Sequence, residues 1–190
     1  MNSDIDEELR AEADRLLASG LSEILAGYGE VNIVGSYALR LMVWRDLDIH
    51  LVRTELDRSS FFELGARIAD RLSPHRMHYR DQTIVSTEGL PAGFYWGVYL
   101  GNEREGAWKI DIWLTDFKGF EAVREYGERI RKRLTDATRQ SILDIKTACW
   151  KRPQYRKGFS SSDIYDAVLD HGVSNIEEFR GFLRDRGRSI

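Results

Sequence analysis

The sequence predicts an α+β fold followed by a helical C-terminal region. Helical and strand patterns alternate from the start of the chain to about residue 115. Strand patterns then stop at Phe117, and every later apolar periodicity is helical. A third observation concerns the middle of the first part. There, a short apolar run ending in Gly35-Ser36 is followed by a strand that carries aspartates at alternate positions, Asp46-Leu47-Asp48-Ile49.

The bulk properties narrow the classes. A chain of 190 residues fits one compact domain, or one unit with a small helical appendage. Its 42% hydrophobic content is enough for a substantial core. Lys and Arg total 28 against 31 Asp and Glu, a formal charge of −3. That balance argues against a surface built to grip long nucleic acid, which calls for a basic excess. It leaves room for a small anionic ligand in a local basic pocket. A single cysteine, Cys149, precludes an internal disulfide, and it falls on an apolar helical stripe that reads as core. The opening Asp4-Ile5-Asp6-Glu7-Glu8 is unlike a signal or transit peptide. No apolar run approaches the roughly 18 residues of a membrane span. A cytoplasmic protein without membrane association is expected.

The elements follow in order. Ile5, Leu9, Ala13, Leu16, Leu17 and Ile24 recur at helical spacing, with Ser3 as cap, and predict a first helix to about Leu25. Gly27-Tyr28-Gly29 breaks it, and Val31 to Val34 reads as a buried strand. Ser36 to Val43 reads as one short helix and Asp46 to Val52 as the second strand. Phe61 to Leu72 is amphipathic and helical, and Pro74 ends it. Strand signals follow around Met77-Tyr79 and at Thr83-Ser86, either separate or as one irregular strand. Phe94 to Leu100 and Trp108 to Thr115 read as the arms of a hairpin. Four helices are expected beyond, around Phe120–Ile130, Ile142–Cys149, Ile164–Leu169 and Ile176–Leu183. Ser160 to Asp163 caps the third and Ser174 the fourth. The division is residues 1–117 as a core with its N-terminal helix and 118–190 as the helical region.

Side chains two apart on a strand share a face. Asp46 and Asp48 therefore point one way, and Leu47, Ile49 and Leu51 the other. Two adjacent carboxylates repel unless a cation sits between them, and oxygen-rich pairs of this kind suit Mg²⁺ with substrate phosphates. Asp111 lies mid-strand in Lys109-Ile110-Asp111-Ile112, where acids are depleted. It reads either as a third metal ligand or as the partner of an arginine. Gly35 allows a sharp turn, and a helix starting there presents free N–H groups to an anion. Ser36 could hold phosphate or merely cap the helix, with Arg40 four residues on and on the same face. Lys109 flanks Asp111 and could neutralise phosphate or pair with a carboxylate. His50 continues the acidic face. Glu103 and Glu105 lie in the hairpin loop as possible bases or as solvated charges. Lys146, Lys151 and Arg152, interleaved with Trp150 and Tyr155, either contact ligand or complement a helix C-terminus.

Taken together, apolar-Gly35-Ser36, a nine-residue gap, Asp46-Leu47-Asp48-Ile49 and a later Ile110-Asp111-Ile112 resemble the nucleotidyltransferase superfamily that shares the fold of DNA polymerase β. The resemblance covers about residues 30 to 115. It implies a mixed β-sheet flanked by helices. Asp46, Asp48 and Asp111 would be the catalytic and metal residues, holding two Mg²⁺ ions, with Asp111 nearer the acceptor. Gly35, Ser36, Arg40 and Lys109 would be the nucleotide-binding set. The implied reaction moves a nucleoside monophosphate from an NTP, ATP being the expected one, to an acceptor hydroxyl, and pyrophosphate leaves. A small molecule such as an aminoglycoside-like compound, or a protein, would be the acceptor. The alternative is a minimal antitoxin or a non-catalytic nucleotide-binding protein of the same fold. In Gly35-Ser36-Tyr37-Ala38-Leu39-Arg40 the arginine is shifted by one position from the Gly-Ser-Xaa-Ala-Arg-Gly of the antitoxin type.

Overall fold

The computed structural model describes residues 2–85 and 87–190, the side chains of residues 2 and 3 excepted. The expected Ser3 cap and the end of the Thr83-Ser86 stretch thus lie outside the described residues. The chain opens with helix α1 (Asn2–Leu16) and α2 (Ser22–Ala26), joined by a kink at Leu17–Leu21. Gly20 makes the kink, with φ of 100°, a value that favours a residue without Cβ. The first helix predicted by periodicity is therefore bent into two.

Among the described residues the strands form one five-stranded sheet in the order β1-β2-β5-β4-β3. These are β1 (Glu30–Val34), β2 (Asp46–Val52), β3 (Arg76–Asp81), β4 (Phe94–Tyr99) and β5 (Lys109–Thr115). Strands β2 and β5 run parallel and the other neighbours antiparallel, so the sheet is mixed. The fold class is as expected. Helix α3 (Gly35–Leu39) links β1 to β2, and α4 (Arg58–Leu72) links β2 to β3. Asp57 caps α4 by accepting from the backbone N–H groups of Ser59 and Ser60.

Alternation sorts the sheet's faces. Leu47, Ile49, Leu51, Ile110, Ile112 and Leu114 are buried on one face, in a core with Leu21 and Leu25 of the N-terminal helical segment and Phe61, Leu64 and Ile68 of α4. Gly65 lets α4 approach the sheet. A Cβ there would lie 2.8 Å from the Trp96 ring, whose indole N–H donates to the Phe61 carbonyl at 3.0 Å. The other face carries the acids.

A second core belongs to the helices after β5. These are α5 (Phe117–Arg133), α6 (Asp136–Cys149), α7 (Ser161–His171) and α8 (Ile176–Arg184). Ile142, Ile145, Cys149, Ile164, Phe179 and Leu183 are buried in it. So are Leu39, Leu41, Val43 and Trp44, which come from the segment between β1 and β2. No helix among the described residues is long and apolar enough to cross a membrane.

Three local expectations are corrected. The helix after β1 ends at Leu39, because Arg40 takes the left-handed conformation with φ of 59° and closes it. No strand forms at Thr83-Ile84-Val85. The Asp81 carboxylate accepts from the Thr83 N–H and hydroxyl and turns the chain, which leaves Ile84 and Val85 exposed. The cap of α8 is Asn175, which accepts from Glu177 and Glu178, while Ser174 donates to the Glu178 carboxylate.

The tight α4–sheet contact generates one expectation. Gly65→Val forces side-chain bulk into Trp96 and lowers stability by about 1–3 kcal/mol, measured as a fall in the denaturant midpoint with the slope unchanged.

Candidate active site

The parallel register sets Asp48 beside Asp111 and Asp46 beside Lys109. Cross-strand neighbours share a face, so two strands suffice to gather three carboxylates and one ammonium. Lys109 is buried and forms ion pairs with Asp46, at 3.2 Å, and with Asp111. Burial alone would depress its pKa, but the two carboxylates more than offset this and raise it. Lys109 thus takes the carboxylate-pairing alternative and is committed to the acids.

Asp111 also accepts a hydrogen bond from the Tyr95 hydroxyl at 2.7 Å. Asp48 lies against Gly35. The glycine has φ of 62°, and a Cβ on it would stand 2.1 Å from the Asp48 carboxylate. Glycine is required there on both counts. Burial raises the Asp48 pKa, as do the charges of Asp46 and Asp111, to about 7. Burial likewise raises that of Asp46.

Ser36 is not the cap of α3. Val34 occupies the cap position, without a side-chain hydrogen bond. The Ser36 hydroxyl accepts from the Lys146 ammonium at 2.8 Å and lies 3.4 Å from the Tyr165 hydroxyl. Lys146 is fully buried and also donates to the Leu41 carbonyl. Burial lowers its pKa, and burial lifts Tyr165 to about 12. Lys151 and Arg152, by contrast, are exposed.

A cavity of about 250 Å³ joins these groups. Its wall includes Ser36, Asp46, Asp48 and Asp111 from the sheet side, and Arg156, Ser161 and Tyr165 from the helical region. Arg156 follows α6 and has φ of 67°. It is close enough to Asp46 and Asp111 for their charges to act on it. Periodicity gives no sign of Arg156, Tyr95 or Tyr165, because their roles depend on contacts across the fold.

Other predicted residues lie elsewhere. Arg40 is exposed, its left-handed backbone takes it off the Ser36 face, and it does not line the cavity. Glu103 and Glu105 form a 3-10 turn away from the acids. His50 is buried against Trp113 and Phe120, with ring centroids 6.1 and 5.5 Å away, and its Nδ1 has no hydrogen-bond partner among the described residues. Burial depresses its pKa to about 4.

The donor set can be tested against a metal. Among the described residues no three acidic, histidine or cysteine side chains close as a metal cage. Lys109 is inserted between Asp46 and Asp111. Three carboxylates against one ammonium still leave an excess of negative charge, and Asp48 has no ion-pair partner among the described residues. Hard oxygen donors with unbalanced charge are the chemistry that suits Mg²⁺, and Asp48 is the carboxylate that Lys109 leaves open to a cation.

No family model and no curated protein matches the sequence. Solved structures do match the fold. A structure of the Cid1 poly(U) polymerase with Mg and 3'-dATP bound aligns over 86% of this chain and 49% of that one, with TM-score 0.57 and 13% identity. A structure of an E. coli MS115-1 CdnC:HORMA-deltaN complex aligns over 95% of this chain and 64% of that one, with TM-score 0.48 and 17% identity. This chain spans about half the length of the first. The chain thus shares the fold of the Cid1 poly(U) polymerase structure.

Two outcomes are expected from the site's electrostatics. Lys109→Met leaves the carboxylates without their buried counter-charge and lowers stability by about 3–5 kcal/mol. Added Mg²⁺ recovers part of this loss in thermal melts, more than it stabilises the unaltered protein. The second concerns His50, whose folded pKa near 4 lies below the ordinary 6.5. The unfolded chain binds the extra proton between these values, so stability falls as pH drops from 6.5 toward 4. His50→Phe removes about 3 kcal/mol of this acid loss, seen when denaturation midpoints of both proteins are compared at pH 7 and pH 4.

Proposed function

We propose that this chain, which has the nucleotidyltransferase fold, is a Mg²⁺-dependent nucleotidyltransferase that uses an NTP to modify an acceptor hydroxyl. The observation that carries the reading is the acid face itself: Asp48 and Asp111 paired in register, Asp46 one step along, and Gly35 pressed against Asp48. A fold needs no such concentration of charge, and its cost requires a return in function.

Asp46, Asp48 and Asp111 would hold the metal, which neutralises phosphate charge and stabilises the leaving group. Ser36 and Tyr165 line the same small volume, and the buried Lys146 stands behind them, donating to both hydroxyls. Lys146 would compensate the β- and γ-phosphates, and Ser36 and Tyr165 would orient them. Arg156 would screen the approach of the acceptor oxygen to the α-phosphorus. The hydroxyl oxygen forms the new O–P bond as the bond from the α-phosphorus to its bridging oxygen breaks. Pyrophosphate carries away that electron pair, and the hydroxyl proton passes to Asp111. Tyr95 holds the Asp111 carboxylate in place by its 2.7 Å hydrogen bond. Residues 1–117 would then supply the acids, and residues 118–190 the phosphate-binding cations.

The test is incorporation of α-labelled nucleotide with Mg²⁺, read together with release of pyrophosphate. Asp48→Asn lowers turnover about 100-fold or more, as loss of a preorganised charge at such a centre does, while thermal stability holds or rises. Ser36→Ala and Lys146→Met raise the NTP dissociation constant about tenfold. Absence of Mg²⁺-dependent NTP binding in the unaltered protein would overturn the reading.

A further inference from the structure

A second and larger cavity, of about 480 Å³, lies across Asp111 from the first. The two share Asp48, Asp111 and Arg156, so occupants of both would meet at the acids. The second is built by the sheet register. Asp111 stands opposite Gly97, and Gly97 opposite His78 on the edge strand β3. The row Asp48–Asp111–Gly97–His78 therefore crosses one face of the sheet.

Gly97 makes room in that row for the Tyr95 side chain. A Cβ on it would stand 2.6 Å from the Tyr95 hydroxyl, the group that holds Asp111. Tyr95 and Tyr99 stand on either side of Gly97 along β4. Arg80, His78 and Arg76 rise beyond it, opposite Tyr95, Gly97 and Tyr99. The floor next to Asp111 is thus the Tyr95 ring, Tyr99 lies farther along, and the far rim carries Arg76 and Arg80.

The charges of this trough have one sign once the acids are set aside. Arg76, Arg80 and Arg156 line it, and no carboxylate other than Asp48 and Asp111 does. Arg76 and Arg80 form no ion pair among the described residues. The Arg76 guanidinium lies over the Tyr99 ring at 3.9 Å, and the Arg80 guanidinium over Tyr95 at 5.8 Å. Stacking fixes the plane of each guanidinium and leaves its N–H groups available to a ligand. Arg80 donates to Nε2 of His78 at 2.9 Å, which ties the middle of the rim to its end. The whole chain is acidic, with a formal charge of −3, so this concentration of arginine is local. Planar, forked donors of this kind match phosphate.

We infer that the trough is the acceptor site, and that the acceptor carries a phosphate which sits on Arg76 and Arg80 while its hydroxyl reaches Asp111. The inference rests on the proposed nucleotidyltransferase reading and deepens it. The rim disfavours a polycationic acceptor such as an aminoglycoside, which beyond Asp48 and Asp111 would meet only Arg76, Arg80 and Arg156. A sugar phosphate, a free nucleotide and the end of an RNA share the required chemistry of a phosphate beside a hydroxyl.

The test uses the full chain with Mg²⁺ and a saturating non-hydrolysable ATP analogue, so that the first cavity is filled. Binding of ribose 5-phosphate, AMP, an RNA hexamer, unphosphorylated ribose and kanamycin is then measured by calorimetry. At least one phosphorylated probe binds, ribose and kanamycin do not, and the probe that binds best identifies the source of the phosphate. In Arg76→Ala/Arg80→Ala, an exposed double substitution, that probe binds about tenfold or more weakly, with ATP-analogue affinity and melting temperature unchanged. The inference is overturned if kanamycin binds and no phosphorylated probe does, if none of the probes binds, or if the double substitution leaves phosphate binding intact. Failure of the ATP analogue itself to bind would instead overturn the parent reading.

Discussion

One buried ammonium lets the acid face exist. Lys109 lies within ion-pair reach of Asp46 and Asp111 in a setting that penalises every unpaired charge. The parallel pairing of β2 with β5 puts these groups side by side and leaves them no means of separating. The rest of the sheet is arranged around that constraint. The opposite face is apolar throughout β2 and β5, which anchors the register, because a slip of one residue would turn every carboxylate into the core. Gly35 stays without a side chain for Asp48, and Tyr95 lends its hydroxyl to Asp111.

The same constraint explains what was readable beforehand. Strict alternation made β2 and β5 legible, and with them the shared face of Asp46 and Asp48 and the anomaly of Asp111. Gly35-Ser36 alone reads equally as an ordinary helix start, and it stands out only through its spacing to Asp46 and Asp48. What alternation does not encode is which residues meet across the chain. Lys109 was readable as a neighbour of Asp111, but not as the bridge to Asp46, which needs the register of two strands 63 residues apart in sequence. Lys146 sits on an ordinary helical pattern, and nothing local shows that its ammonium is buried against Ser36, 110 residues away. Arg156 and Tyr165 are of the same kind.

The errors share a cause. Helical spacing sets Arg40 on the Ser36 face only while the helix continues, and the left-handed backbone of Arg40 ends it. Thr83 to Val85 has the composition of a strand, yet one aspartate at Asp81 captured the backbone into a turn. Gly20 bent a helix whose apolar period runs straight through it. In each case a single residue's backbone preference or side-chain hydrogen bond overrode a pattern summed over many.

The two hydrophobic cores are not divided where the secondary structure changes character. Leu39, Leu41, Val43 and Trp44 leave the sheet and pack among the C-terminal helices. The segment that presents Ser36 is therefore seated, by its own following residues, in the region that presents Lys146. Ser36 and Lys146 are thereby fastened together where the two cores meet. The junction between the acid-bearing sheet and the helical region is thus held at its root by buried apolar side chains rather than by the charges that face the cavity.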